Sequence, residues 1–375
     1  MEKTSGKIRL GDAASFINGF AFKPDHWGDV GRPIIRIQNL NNTEAEFNYY
    51  DGPIPEKYIV RDGDILISWS ASLGAYEWNR GEALLNQHIF KVVFDKAPIN
   101  KHYLRYAVLS KLSDMEKDAH GATMRHIVKK DFDNTLIPYP SIDEQVDIVS
   151  ELDLLTGIIE KKQQQLKDLD SLSRSLFYEM FGDPIKNDKG WPVVLLESIA
   201  SCRIGLTYKP ENVCEDGTIV LRSSNIQGNE ISLDDIVRVN CGIREQQFVQ
   251  RGDILMCSRN GSFKLVGKVA TIGDLPEKMS YGAFMTVIRS QYNPYLFEFF
   301  KLPAFRTQLG LAKTATINQI TVKMLANTKI ALPPKELQDS YATKICKIYE
   351  QKAAIHRSID DCQKLLDSRM AYYFN

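Results

Sequence analysis

The feature that most constrains this chain is that it is written twice. Gly19-Phe20-Ala21-Phe22-Lys23-Pro24 returns 186 residues later as Gly205-Leu206-Thr207-Tyr208-Lys209-Pro210, and the same displacement carries Leu10 to Leu196, Arg36 to Arg222 and Asn39 to Asn225. Gly63-Asp64-Ile65-Leu66 recurs as Gly252-Asp253-Ile254-Leu255 after 189 residues. Thr123, Asn134, Pro140 and Gln145 recur as Thr316, Asn327, Pro333 and Gln338 after 193. A solenoid unit spans roughly 20 to 50 residues, so a period this long is a duplicated domain with its own appendage. The 375 residues suit two such units better than one core.

Each copy opens as a mixed α/β globule. Apolar pieces bounded by Gly, Pro and Asn predict strands over 33–40, 65–69 and 88–94, while aromatics and leucines at three- and four-residue spacing predict helices over 101–118 and 294–311. A different texture follows. Ile148, Leu152, Leu155, Ile159, Lys162, Leu166, Leu169, Ser173, Leu176 and Met180 alternate spacings of four and three, the mark of a heptad seam. Shifted by 193, the seam reads Tyr341, Ile345, Ile348, Lys352, Ile355, Ile359, Cys362, Leu366, Arg369 and Tyr373. Ser141 and Glu144 form a capping box before the first helix, and Gly182 and Pro184 end it. A long seam needs a long partner, and the other copy supplies one. The expected fold is mixed α/β, with two tandem globules separated by two long helices in an antiparallel intramolecular coiled coil about a pseudo-two-fold axis. Its parts are 1–144, 145–182, 183–336 and 337–375. Lys162, Ser173, Lys352 and Arg369 either set register within the seam or snorkel out of it.

Catalytic signatures are missing. Gly261 to Val269 has five residues between its glycines where a phosphate-binding loop has four, and Val269 replaces the magnesium-binding hydroxyl. Ile137-Pro138-Tyr139-Pro140 lacks the adjacent prolines and preceding polar residue of an amino-methyltransferase motif. The six histidines contain no H-E-x-x-H pair, and His120 and His126 read as surface residues. The six cysteines lack C-x-x-C spacing and read as buried thiols, with no metal site expected. No apolar run approaches a membrane span, and Met1 to Leu10 has no signal core, so a cytoplasmic location is expected.

Recognition chemistry remains. Lys and Arg together number 47, as do Asp and Glu, so the total charge does not advertise nucleic-acid binding and any attraction must be local. Residues 183–333 hold a surplus, 18 cations against 14 carboxylates. Lys23 and Lys209 follow a turn glycine and an aromatic in both copies and suit phosphate contact. After the Gly-Asp-Ile-Leu segments come Ser68 and Ser70 in one copy and Ser258, Arg259, Asn260 and Lys264 in the other; such side chains read base edges but also form turns. Arg36, Asn86, Gln87, Arg125, Arg222, Asn225 and Asn318 complete the DNA-binding candidates.

In combination these landmarks resemble the specificity subunit of Type I restriction-modification systems. The resemblance is carried by the duplicated G-x-x-[FY]-K-P and Gly-Asp-Ile-Leu segments, by Pro140 to Gln145 and Pro333 to Gln338 at the helix entrances, and by Phe177-Tyr178-Glu179-Met180-Phe181-Gly182-Asp183-Pro184. It implies a non-catalytic subunit whose two target-recognition domains each read half of a bipartite site in double-stranded DNA, with the helices as a ruler. It also implies a pair of methyltransferase (modification) subunits docked on the chain, and restriction subunits with translocase and endonuclease activity. S-adenosylmethionine, ATP and Mg then belong to those partners, with no cofactor in this chain. Two other readings are a coiled-coil interaction scaffold with no DNA role and a methyltransferase carrying its own recognition domains.

Overall fold

A computed structural model describes residues 6–70, 72–118, 129–310 and 319–375, without the side chains of 113–118. The chain divides into two compact units, one of Met1–Gln164 with Ile355–Asn375 and one of Gln165–Ala354.

The first unit is built on a pair of four-stranded sheets. One orders Ser15–Asn18, Ile89–Val93, Ile65–Ser68 and Gly74–Glu77, all antiparallel. The other orders Asn48–Tyr50, Arg32–Ile35, Ala83–Leu85 and Ile59–Val60, with Arg32–Ile35 parallel to Ala83–Leu85. Strand Ile65–Ser68 is buried on both faces: Ile65 and Ile67 pack with Phe16, Phe90 and Tyr103, while Leu66 packs with Ile35 and Trp78. A strand covered on both sides reads as an unbroken apolar run, which is why this segment shows no alternation.

The second unit repeats the plan. Ser201–Ile204, Met285–Arg289, Ile254–Cys257 and Val269–Thr271 form one sheet, and Val213–Cys214, Arg238–Val239, Thr218–Leu221 and Met279–Tyr281 the other. The parallel strand pairing recurs between Thr218–Leu221 and Met279–Tyr281. Ile254 and Met256 again face one apolar cluster, and Leu255 and Cys257 another.

The Gly-Asp-Ile-Leu segment is therefore an element of the fold. Gly63 and Gly252 adopt φ of +88° and +86°, where a side chain is strained. The following carboxylates cap the turn, Asp64 accepting the Arg61 N–H and Asp253 the Gln250 N–H, both at 2.8 Å. Each then meets a cation: Lys91 lies 2.9 Å from Asp64, and the Arg289 guanidinium forks onto the buried Asp253 at 2.7 and 2.6 Å.

Three expectations are corrected. The strand expected over 33–40 ends at Ile35, and Ile37–Asn41 is helical, because the Asn39 side chain accepts the Arg36 N–H at 3.0 Å and closes a first turn. The helix expected over 294–311 is two, Asn293–Lys301 and Pro303–Gln308, since Pro303 has no N–H to continue the first but starts the second well. Of the cysteines only Cys257 is buried; Cys202, Cys214, Cys241 and Cys362 are half-buried and Cys346 is exposed. Burial pushes the Cys202 thiol up to about 11.

The long helices are Ile142–Phe181 and Lys335–Phe374, each 40 residues and so about 60 Å. The first begins three residues before Gln145 because Ser141 caps it: Glu144 accepts the Ser141 N–H at 2.9 Å and Ser141 Oγ accepts the Glu144 N–H at 3.3 Å. Gly182, at φ +76°, ends it. In the second unit the helical segments run antiparallel, with Lys352 2.8 Å from Asp170 and the Tyr341 ring 4.9 Å from Phe181. In the first unit Arg369 and Tyr373 both bond Glu151. Lys352 and Arg369 thus make ion pairs across the helices.

Arg369, and then Tyr373, hold the Glu151 carboxyl below the usual carboxylate range. A lowered carboxylate contributes stability that is complete above its unfolded value of about 4.3 and is lost as pH falls through its folded one. Glu151→Gln is expected to flatten the decline in melting temperature below about pH 5, measured by circular dichroism, while lowering the melting temperature at pH 7.

Candidate nucleic-acid interface

In each unit the loops at one edge of the sheets converge through backbone hydrogen bonds. In the first unit Phe20 donates to Leu85 O at 2.8 Å, Gln87 to Phe20 O at 2.9 Å, Asn86 to Ile35 O at 3.3 Å and Trp69 to His88 O at 3.3 Å. This joins the loop of Lys23, the turn of Arg36, the loop after Ser68 and the hairpin tip Asn86-Gln87-His88. In the second unit Leu206 donates to Tyr281 O at 2.7 Å, Gly282 to Leu221 O at 2.9 Å, and Ser258 and Arg259 to Phe284 O at 2.9 and 3.0 Å. The isolated bridges Phe20–Asn86 and Leu206–Gly282 are the same contact in both copies.

The glycine of the G-x-x-[FY]-K-P motif is required by this convergence. A Cβ on Gly19 would stand 2.0 Å from Asn86 O, and one on Gly205 would stand 2.2 Å from Tyr281 O. The aromatic of the motif packs inward, Phe22 being buried and Tyr208 half-buried, while Lys23 and Lys209 stay exposed at the start of short 3₁₀ turns. Lys209 also lies 3.5 Å from Glu211.

Several candidates are corrected to structural roles. Asn225 is 1% exposed; it accepts the Arg222 N–H and donates to Ser232 O and Asp235 O, which leaves no atom for DNA. Ser68, Ser70 and Ser258 are buried, with Ser68 Oγ on Ser72 O and Ser258 Oγ bonding Thr286 Oγ1 at 2.6 Å. The hydroxyls of Ser68 and Ser258 are thus satisfied inside the unit. Asn260 closes a turn, accepting from the Ser262 N–H and donating to Ser223 Oγ. Lys264 is not among those corrected: it is exposed and lines a second cleft together with Arg174 and Lys301. Arg125 and Asn318 lie outside the described residues, as do His120 and His126.

The edges keep Arg36, Asn86, Gln87, Lys23, Lys209, Arg222 and Arg259. Arg36 lies over the Trp27 ring at 5.6 Å. Arg222 is paired with Asp235 at 2.8 Å, so its charge is partly answered within the protein. Arg259 is exposed and lies over the Phe284 ring at 5.3 Å, and among the described residues it has no carboxylate in ion-pair range. A cleft of about 620 Å³ opens beside it, lined by Tyr208, Arg222, Ser223, Ser224 and Phe284.

Sequence reading named the tripeptide Asn86-Gln87-His88 but missed the tip ring Phe284. Phe284 is 59% exposed, and its counterpart His88 stands against Trp69 with ring centres 5.0 Å apart and a backbone φ of +70°. They share a position at a displacement of 196, which strand pairing reveals and residue identity does not.

The seam residues divide between the units. Leu152, Leu155, Ile159, Ile345 and Ile348 are buried. Ile148, Leu166, Leu169, Leu176, Ile355, Ile359 and Leu366 are half-buried. Among the described residues no group of three His, Cys, Asp or Glu could hold a metal, and no helix is long and apolar enough to cross a membrane.

Two globules of one plan, each presenting a loop edge with cations and a ring at its tip, define a duplicated recognition protein. The family model for the Type I restriction modification DNA specificity domain matches residues 2–168 and again 188–361, and the chain belongs to that family. Its role is that of a Type I restriction-modification specificity subunit, recognition of a DNA target. The chain is 24% identical to the EcoBI specificity subunit of Escherichia coli over 95% of this chain and 81% of that one. It is 23% identical to the MjaVIII specificity subunit of Methanocaldococcus jannaschii over 91% and 85%. In fold it is similar to the Type I system S subunit from M. genitalium, with a TM-score of 0.56, 14% identity and coverage of 100% and 98%. A chain from a study of assembly and conformational transition of the Type I system gives a TM-score of 0.55 at 18% identity, covering 99% and 97%.

Proposed function

We propose that the chain reads an asymmetric bipartite sequence in double-stranded DNA, one half with each globule, without catalysing a reaction itself. The recognition domains are 1–144 and 183–336; the helices 145–182 and 337–375 set the spacing and dock two modification subunits. S-adenosylmethionine serves those subunits, and ATP and Mg the restriction subunits that complete a cytoplasmic assembly. The observation that carries this reading is that equivalent loop edges hold different residues: Asn86-Gln87-His88 in one copy and Gly282-Ala283-Phe284 in the other. Identical domains related by a two-fold would read a palindrome, whereas divergent edges read two different half-sites. Lys23, Arg36, Asn86, Gln87, Lys209, Arg222 and Arg259 contact the DNA; the tip rings His88 and Phe284 join them.

Adenine-methylation mapping in the source cell with and without the gene tests this. Loss of one asymmetric two-part motif on deletion is the expected result. A palindromic motif lost on deletion would refute the division of labour between the edges.

A further inference from the structure

A second cleft in the Gln165–Ala354 unit lies where the long helix meets the globule, and it shares no lining residue with the cleft at the loop edge. Its volume is about 380 Å³, and five cations line it: Arg174 from the helix, Lys264 and Lys268 from the loop after Cys257, and Lys301 and Arg306 from the helices beyond the sheet. Two carboxylates share the lining, and both are engaged. Asp170 pairs with Lys352 at 2.8 Å, and Glu298 with Lys301 at 3.0 Å and with the Tyr349 hydroxyl. Arg174, Lys264, Lys268 and Arg306 have no carboxylate within ion-pair distance among the described residues. Arg306 instead donates to Val266 O and Phe263 O and lies over the Phe263 ring at 4.8 Å, which ties down the loop that carries Lys264 and Lys268.

The duplication supplies an internal control. Strand pairing aligns Met256–Val269 with Ile67–Ala75, so the second copy's loop, which carries Lys264, is five residues longer, and the first copy's loop holds no Lys or Arg. Lys268 corresponds to Gly74, and Arg174, shifted by 193, to Asp367. The fold is built in the first copy without these cations, so packing does not require them. The five cations of the lining outnumber its two carboxylates, four of them lie outside ion-pair distance of any carboxylate among the described residues, and an anion relieves the repulsion between them.

We infer that this cleft binds phosphate, and that the phosphates are those of the DNA backbone, held without regard to sequence. This rests on the proposed DNA-reading function and adds to it a clamp present in one half only.

The test is the complex of the full chain with its modification subunits, carrying R174Q and K264Q together. It is titrated at several salt concentrations with a duplex bearing the mapped methylated motif and with a scrambled duplex. The expected result is a loss of about tenfold on both duplexes alike, with a salt dependence shallower by between about one and two charges. The conservative R174K and K264R pair is expected to restore both, which separates charge from folding. A loss confined to the motif duplex, or unchanged affinity and unchanged salt slope together with unchanged ATP binding, would overturn the inference. Unchanged DNA binding with ATP binding lost from the same complex would keep the phosphate site and assign it to a free nucleotide. If the wild-type complex binds both duplexes alike, the sequence-reading function fails, while the response of the paired variant still reports on the cleft.

Discussion

Arg259→Ala weakens binding of the modification complex to its mapped motif by about 5- to 150-fold, as expected for one base-edge contact worth about 1 to 3 kcal/mol, and leaves a scrambled duplex nearly unaffected. The expectation follows from the position of the guanidinium: exposed, set over the Phe284 ring at 5.3 Å, beside a cleft of about 620 Å³, and unanswered by any carboxylate among the described residues. Arg222 on the same edge is paired with Asp235, so Arg222→Ala is expected to cost less. Methylation mapping adds a second readout, because relaxation should appear in one half of the motif while the other half keeps its sequence. An equal loss on motif and scrambled duplexes would place Arg259 among the phosphate contacts instead.

Gly205→Ala removes about 3 kcal/mol or more from the stability of the second unit, read from the denaturant midpoint, and with it methylation of the whole two-part motif. The added methyl would stand 2.2 Å from Tyr281 O and 2.4 Å from Gly282 O. Both are backbone atoms in or beside a strand that cannot retreat without breaking the sheet, so overpacking here has no rotamer to relieve it. Gly242→Ala is the control: its Cβ meets nothing within 4 Å, and stability should change by no more than about 0.5 kcal/mol. Equal midpoints for the two variants would mean that the motif glycine serves the loop edge in some way other than close approach.

These two glycines show how differently motif and site were legible. The G-x-x-[FY]-K-P repeat was visible because a steric requirement permits one residue type, and such a requirement survives duplication. Gly-Asp-Ile-Leu was visible for a related reason: a left-handed turn, a carboxylate cap and a strand buried on both faces each restrict the choice. The hydroxyls and amides that follow were ambiguous. Ser258 and Asn225 belong to the residue types that read base edges, yet their polar atoms are consumed by Thr286, Ser232 and Asp235, partners 28, 7 and 10 residues away. Residue type alone does not distinguish a side chain satisfied within its loop from one left facing solvent.

Local and repeated constraints were set by the amino-acid order itself. They include the duplication, the mixed α/β character, the start of the long helix at the Ser141–Glu144 box, its end at Gly182 and the heptad spacing, since each depends on neighbours within a few turns or on comparison of one copy with the other. Only the tertiary structure decided what depends on side chains brought together from distant segments. It set Phe284 beneath Arg259, pairing of Lys352 with Asp170, and the grouping of Arg174, Lys264, Lys268 and Arg306 around one cleft. The physical reason is the range of the forces involved. Backbone sterics and capping act along the chain, whereas burial and electrostatics act through space, and their outcome is settled when the sheets and helices close.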